Sequence, residues 1–319
     1  MKNFSGKLAV VTGGGSGMGR ELTVQLAAAG CSVATCDIIP DTVEATAELA
    51  RKSAPEGTTV TSHVCDVSRE TEVLSFRDEV REQHPRGHIN LLFNNAGIGG
   101  GGSFVSDSRE DWEKTFAVSW YGVYYCTRAF LPLLLASDEG HLVNTSSVNG
   151  FWASLGPGRP HTAYSSAKFA IKGFSEALIT DFRMNAPHLK VSVVMPGHIG
   201  TNIAINSGRI LGHPDPLDLP DDEVEQVRAD MKNRGLDLGP LTNDQIRGML
   251  KQMGIDFREQ APVTAAQAAS VILEGVRDER WRILVGDDAD ELDRRVRADP
   301  EEAYEESFSG LTITGPAGD

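Results

Sequence analysis

The stretch that decides the fold is Lys7-Leu8-Ala9-Val10-Val11-Thr12-Gly13-Gly14-Gly15-Ser16-Gly17-Met18-Gly19. Its first five residues make a short apolar, β-branched run, the pattern of a buried strand. A glycine-rich segment follows at once, and a helical pattern then runs from Arg20 to Ala29. Glycines permit a tight turn and a close backbone approach, and a helix N-terminus attracts pyrophosphate. Strand, glycine-rich turn and helix in this order predict a dinucleotide-binding unit, with Gly13, Ser16, Gly17, Met18 and Gly19 against the cofactor.

The second strand is Ser32-Val33-Ala34-Thr35-Cys36, and Asp37 stands at its end. A carboxylate there accepts hydrogen bonds from ribose hydroxyls and repels a 2′-phosphate. Ile38 in place of an arginine, and the uncharged Ser16, point the same way, so the expected cofactor is NAD rather than NADP. The alternation continues with a helix over 41–52, a strand over 58–63, Cys65-Asp66-Val67, a helix capped by Ser68 and running to about His84, and a strand over 89–93. Asp66, beside Val67, is placed to meet the adenine edge. Small residues in Asn94-Asn95-Ala96-Gly97 let a cofactor lie against the backbone. The alternation predicts an α/β fold, a doubly wound parallel sheet with helices on both faces and ligands at the carboxyl ends of the strands.

Composition narrows the partners. Lys+Arg 30 against Asp+Glu 45 leaves a net charge of −15, which disfavours nucleic acid and anionic membrane surfaces. No apolar stretch reaches the length of a membrane span, and Met1 to Gly6 is short, polar and unlike a signal peptide. Cys31, Cys36, Cys65 and Cys126 have neither metal-ligand nor disulfide-framework spacing. They read as reduced, mostly buried thiols in a cytoplasmic protein, and no metal is expected. The 319 residues, 40% of them hydrophobic, suit one large domain with a substantial core.

The second half carries the chemistry. A long helix is expected from about Ser108, with Trp112, Phe116, Val123, Tyr124 and Phe130 in the core or at a subunit interface. His141-Leu142-Val143-Asn144-Thr145 reads as the fifth strand, ending in Ser146-Ser147. After a glycine- and proline-rich loop comes Tyr164-Ser165-Ser166-Ala167-Lys168, whose tyrosine and lysine share one helix face. An ammonium about 4 Å from a phenol could draw its pKa from about 10 towards about 7. Such a tyrosine could give or take a proton at neutral pH. A sixth strand over 190–195 leads into Pro196-Gly197-His198-Ile199-Gly200-Thr201.

Thr12-Gly13-x-x-x-Gly17-x-Gly19, Asp66, Asn94-Asn95-Ala96-Gly97, Ser147, Tyr164-x-x-x-Lys168 and Pro196-Gly197 with Thr201 occur in this order. Together they resemble the short-chain dehydrogenase/reductase family, by motif over about 4–202 and by general pattern over about 262–298. The resemblance implies a Rossmann-type sheet and an NAD-dependent oxidoreductase that interconverts a secondary alcohol and a ketone or related carbonyl. It makes Tyr164 the general acid/base, puts Ser147 on the substrate oxygen, and puts Lys168 on the nicotinamide ribose, where it also lowers the phenol's pKa. It lines the ribose with Asn95, Ala96 and Gly97, sets Pro196, Gly197 and Ile199 against the cofactor, and brings Thr201 to the carboxamide. One position departs from the family. Ser119 stands where an asparagine usually supports a water-linked proton path, and its hydroxyl and carbonyl could position the same water.

The interval between Ser147 and Tyr164 is longer than the family's, so the loop bearing Phe151 and Trp152 is expected beside the substrate. These two, with Trp120 and the methionines of residues 203–261, suggest an apolar or ring-bearing alcohol or carbonyl substrate. Residues 203–261 form a helical insertion expected to act as a lid, with Asp221 capping one helix and Thr242-x-x-Gln245 a capping box for another. Thr264-x-x-Gln267 starts a further helix, Trp281 to Val285 is the last strand, and Asp287 to Arg297 is helical. The single domain spans 1–298, and 299–319 is expected as a peripheral tail. A homodimer or homotetramer is expected. Two other functions fit the same fold, a non-catalytic dinucleotide-binding sensor and an epimerase or dehydratase.

Overall fold

β1 (Leu8–Thr12) is buried at every residue, as its apolar sequence requires. Successive side chains point to opposite faces of a sheet. Accordingly Ala9 and Val11 pack with Leu22 and Leu26 of α1 (Gly17–Ala28), while Leu8 and Val10 pack with Phe76 and Phe130 on the other side. Two apolar layers thus sandwich the sheet. The computed structural model describes residues 1–156, 159–233 and 236–308.

The chain continues through β2 (Ser32–Asp37), α2 (Pro40–Ser53), β3 (Val60–Val64), α3 (Glu70–Gln83) and β4 (Leu91–Asn94). Next come α4 (Arg109–Phe116), α5 (Gly122–Leu135), β5 (Gly140–Thr145), α6 (Thr162–Asn185) and β6 (Leu189–Pro196). β7 (Ile199–Gly200), α7 (Ile203–Leu211), α8 (Asp221–Asn233), α9 (Asn243–Glu259), β8 (Val263–Thr264), α10 (Ala265–Arg277), β9 (Arg282–Val285) and α11 (Asp287–Ala298) complete it. Seven strands form one parallel sheet in the order β3-β2-β1-β4-β5-β6-β9, and β7 pairs with β8 beside it. The order reverses between β1 and β4, which opens the crevice where ligands of such sheets bind. The doubly wound, Rossmann-type fold is therefore as expected. Among the described residues, no helix is long and apolar enough to cross a membrane.

Several local expectations change. The long helix is interrupted: between α4 and α5 a π-helical stretch, Ala117–Tyr121, carries Ser119. Ser108 does cap α4, accepting from Asp111 N at 3.0 Å. Ser68 does not cap α3, because its hydroxyl and N–H both turn back to Asp66 Oδ1. Asp221 is the first residue of α8, and its carboxylate ties that helix to Arg247 of α9 at 2.6 Å. Both capping boxes form as expected, Thr242 with Gln245 and Thr264 with Gln267.

The tail begins differently from the expectation. Trp152 Nε1 donates to Ala303 O at 2.7 Å, and the Trp152 ring meets Phe308 at 5.7 Å between centroids. Ala303, Tyr304 and Phe308 therefore pack on the loop after β5; 309–319 lie outside the described residues.

Candidate active site

The glycine-rich turn, the ends of β2 and β4 and the first turns of α7 enclose one cleft. Gly13 has φ +67°, and a Cβ there would stand 2.7 Å from Ala96 Cα. Only glycine allows that approach of turn to strand end. Thr12 ties the same pieces together, its Oγ1 accepting from Asn95 N at 3.0 Å and Ala96 N at 3.1 Å. Ser16 precedes α1 without a side-chain capping bond, so the first-turn N–H groups stay open to an anionic ligand. Gly17, Met18, Ala96 and Gly97 line the cleft, and Gly19 packs on the turn itself, where a Cβ would stand 2.1 Å from Gly13 O.

Asp37 and Ile38 stand at the cleft's other end with Asp66 and Val67. The Asp37 carboxylate accepts from Gly15 N at 2.9 Å and Ile39 N at 3.1 Å, which fixes its position. Asn95 Oδ1 is buried without a partner among the described residues, an acceptor open to a ligand. A glycine cradle, an open helix end, a fixed carboxylate and this orphaned acceptor fit a dinucleotide.

A second cleft continues from the first, sharing Met18, Asn95, Gly97 and Thr201, and it brings Ser147, Tyr164 and Lys168 together. Pro196, Gly197 and Ile199 line it as well. A buried polar ladder sets α6 against the strands. Asn94 Nδ2 donates to Asn144 Oδ1 at 2.8 Å, Asn144 Nδ2 to Ser175 Oγ at 2.9 Å, and Ser175 Oγ to Ile171 O at 2.7 Å. Ser146 Oγ donates to Lys168 O at 2.7 Å, while Ser147 Oγ accepts from Asn149 N at 3.1 Å. Lys168 Nζ donates to Thr145 O at 2.9 Å and lies 5.2 Å from the centroid of the Tyr164 ring.

Burial governs both titrating groups. It pushes the Tyr164 phenol up to about 12, against the downward pull of the Ser147 side chain. It pushes the Lys168 ammonium down to about 7. The expected phenol near 7 is therefore not met in the protein by itself. The ammonium is turned onto Thr145 O, over the ring, and desolvation outweighs its attraction.

Ser119 is fully buried and its hydroxyl donates to Ile98 O at 3.2 Å. It supports the loop after β4 beneath the cleft and does not line it. Trp152 is 1% exposed beneath the C-terminal segment, and Trp120 packs on Phe174 at 5.6 Å. Neither reaches the cleft, and neither does Phe151. Its apolar wall comes instead from Val148, Leu155, Ile203, Ala204 and Phe257. Phe257 belongs to α9, so one residue of the second amphipathic helix does reach the site. The methionines of α8 and α9 do not; Met231 and Met249 pack with Val224 and Ile246 in a small separate core.

A family model described as short chain dehydrogenase matches residues 7–209. The chain belongs to that family. SadH of Mycobacterium tuberculosis, which carries an oxidoreductase name, is 33% identical over 297 residues, 93% of this chain and 92% of its own. A short chain dehydrogenase/reductase of Burkholderia phymatum, solved in complex with NAD, is 27% identical, covers 95% of each chain and has a TM-score of 0.74. A metagenomic short-chain oxidoreductase solved in complex with NADP is 28% identical over 61% of this chain and 83% of its own, with a TM-score of 0.52.

For a short chain dehydrogenase, the sequence marks the strand ends well and the substrate wall poorly. Leu155, Phe257, Ser207 and His161 line the second cleft outside the family's motifs. His161 alone carried a signal, its place three residues before Tyr164.

Proposed function

We propose that this short chain dehydrogenase is an NAD-preferring enzyme that interconverts a secondary alcohol and a ketone or related carbonyl. The observation that carries the reading is the convergence of Ser147, Tyr164 and Lys168 in a cleft continuous with the glycine-turn cleft. The nicotinamide, when bound, accepts or supplies the hydride. In oxidation the carbinol C–H leaves as hydride, the O–H proton passes to the Tyr164 oxygen, and the C–O bond becomes C=O. Ser147 holds the substrate oxygen during this change. Lys168 binds ribose hydroxyls and adds positive charge beside the phenol. Because burial alone sets that phenol at about 12, its base form depends on positive charge gathered in the cleft.

Asp37 supports the preference for NAD. Its fixed carboxylate would repel a 2′-phosphate, and among the described residues no Lys or Arg lines that cleft to offset it. The apolar wall suits an apolar or ring-bearing substrate, with α9 as a lid over it. A homodimer or homotetramer would cover the exposed Tyr121, Tyr124 and Phe169; light scattering in solution tests this.

The function is tested by a panel of secondary alcohols scored as NADH absorbance. Tyr164→Phe keeps the ring volume and should retain fold and NAD affinity, while its rate should fall by about 10²–10⁴-fold or more. A folded, NAD-binding Tyr164→Phe enzyme that oxidises the alcohol at the wild-type rate would refute the assignment.

A further inference from the structure

Most polar side chains around the catalytic cleft are already committed to the protein. His198 Nε2 pairs with Phe257 O at 2.7 Å. Asn149 Nδ2 donates to Trp152 O at 3.0 Å and Ser154 O at 2.7 Å. Ser207 Oγ donates to Ile203 O at 2.6 Å and accepts from Gly99 N at 2.8 Å. His161 differs. It lines the cleft with Ser147 and Tyr164, its ring centroid lies 4.7 Å from that of Tyr164, and neither ring nitrogen has a hydrogen-bond partner among the described residues.

Its backbone is fixed nonetheless. His161 O accepts from Ser165 N at 3.0 Å at the start of α6, and Thr162 N and Ala163 N donate to Gly102 O and Gly101 O at 2.9 and 3.0 Å. A half-buried polar ring on a fixed backbone thus stands beside the reacting group, unpaired among the described residues, while the polar neighbours named above are already paired. Polar groups in such places recover their lost hydration only through a hydrogen bond from whatever enters.

We propose that His161 is a second polar subsite, and that the substrate is an uncharged compound with a second hydroxyl or carbonyl oxygen next to the reacting carbon, as in a vicinal diol or an α-hydroxy ketone. The proposal rests on the alcohol–carbonyl reading above. The short distance between the two rings keeps the second oxygen close to the one that Tyr164 and Ser147 hold. Burial pushes the imidazole down to about 4. At neutral pH it therefore offers one N–H donor and one bare nitrogen acceptor, and no charge. A carboxylate would gain no charge partner from this neutral ring.

The test uses the purified full chain with NAD and two matched pairs, cyclohexanol and sec-butanol each against its vicinal diol. Wild type should favour the diol by about tenfold in kcat/KM, the size of one neutral hydrogen bond. His161→Phe keeps an aromatic ring and should lose that preference through KM, while the plain alcohol, which never used the bond, loses far less. His161→Gln should restore part of the preference. In wild type the His161 ring-nitrogen resonances, identified by their loss in His161→Phe, should move on adding the diol and stay put with the plain alcohol. Equal use of diol and plain alcohol by wild type overturns the subsite and leaves the redox reading standing. So does an equal kcat loss on both in His161→Phe with a displaced pH–rate profile, which would make the ring a proton carrier. Absence of NADH from every alcohol with wild type counts against the redox reading itself, and unmoved His161 resonances in that same protein then overturn the subsite as well.

Discussion

Lys168 shows how a buried ammonium costs a short chain dehydrogenase stability at a single residue. Its side chain is 3% exposed, and burial takes its ammonium from the usual 10.5 down to about 7. The unfolded chain holds that proton up to about pH 10.5, so between pH 7 and 10.5 it binds more protons than the fold does. Stability from this group is therefore complete only above the unfolded value and falls as the pH drops towards 7. Lys168→Met should fold and gain about 1–3 kcal/mol at pH 7, a discount on the full shift for the lost bond to Thr145 O. The gain should shrink as pH rises to 10, and cofactor affinity and rate should both collapse. Denaturant titrations at pH 7, 8.5 and 10 read it; a variant less stable than wild type at pH 7 would sink the argument. Asp37 poses a residue-scale question of specificity. Asp37→Ser with Ile38→Arg removes the carboxylate fixed by Gly15 N and Ile39 N and adds a cation for a 2′-phosphate. The ratio of kcat/KM for NAD over NADP should fall by at least about tenfold, and equal wild-type efficiency with both cofactors would defeat the reading.

At the scale of elements, the second cleft is walled in part by pieces that make no motif. α7 stands beside the glycine turn, where Asn206 Nδ2 donates to Ser16 Oγ at 3.2 Å, and α9 delivers Phe257 to the cleft wall. His198 holds α9 there, its ring tilted against that of Phe257 at 4.3 Å between centroids while it pairs with the Phe257 carbonyl. Phe257→Ala should therefore raise KM for an apolar substrate about tenfold and leave NAD affinity nearly unchanged. Kinetics together with NAD titration separate these, and an unaltered KM would assign α9 to surface or assembly. The capping boxes at Thr242 and Thr264 were legible because the helix start is a local, four-residue pattern. The π-helical stretch at Ser119 was not, since nothing in Ala117-Val118-Ser119-Trp120-Tyr121 breaks the helical period. The burial of Trp152 was also illegible. It depends on Ala303, which lies 151 residues away, and an indole in a glycine-rich loop reads equally well as a ligand contact.

Across the whole molecule, the parallel sheet covered by helices followed from the alternation of buried strands with amphipathic helices, and the place of the site followed from the rule that ligands gather at the carboxyl ends of such strands. What the alternation cannot convey is the cost of the polar groups locked beneath the sheet, and His141 makes that cost measurable. It sits on the interior strand β5, between β4 and β6, and is 1% exposed. Ser192 Oγ donates to Arg280 O at 2.6 Å, so it must accept from His141 Nε2–H at 2.7 Å. The ring is then neutral with its proton on Nε2, and Nδ1 is buried with no partner among the described residues. Burial, with the N-terminal ammonium and Lys190 adding to it and Glu279 opposing, lowers its pKa from 6.5 to about 3. His84 is lowered to about 4, again chiefly by burial. In both cases the unfolded chain takes up a proton near pH 6.5 that the folded chain refuses. Stability is whole above about pH 6.5 and drains as the pH falls, at about 1.4 kcal/mol per unit for each such group, until about pH 4 for His84 and about pH 3 for His141. His141→Gln keeps an amide donor for Ser192 and cannot take up the proton. It should be less stable than wild type at pH 7 and should close that gap by about 1.4 kcal/mol per pH unit between pH 6 and 4. Guanidinium unfolding of both proteins at pH 7, 6, 5 and 4 decides it, and parallel stability curves would mean that His141 takes up its proton as readily in the fold as outside it.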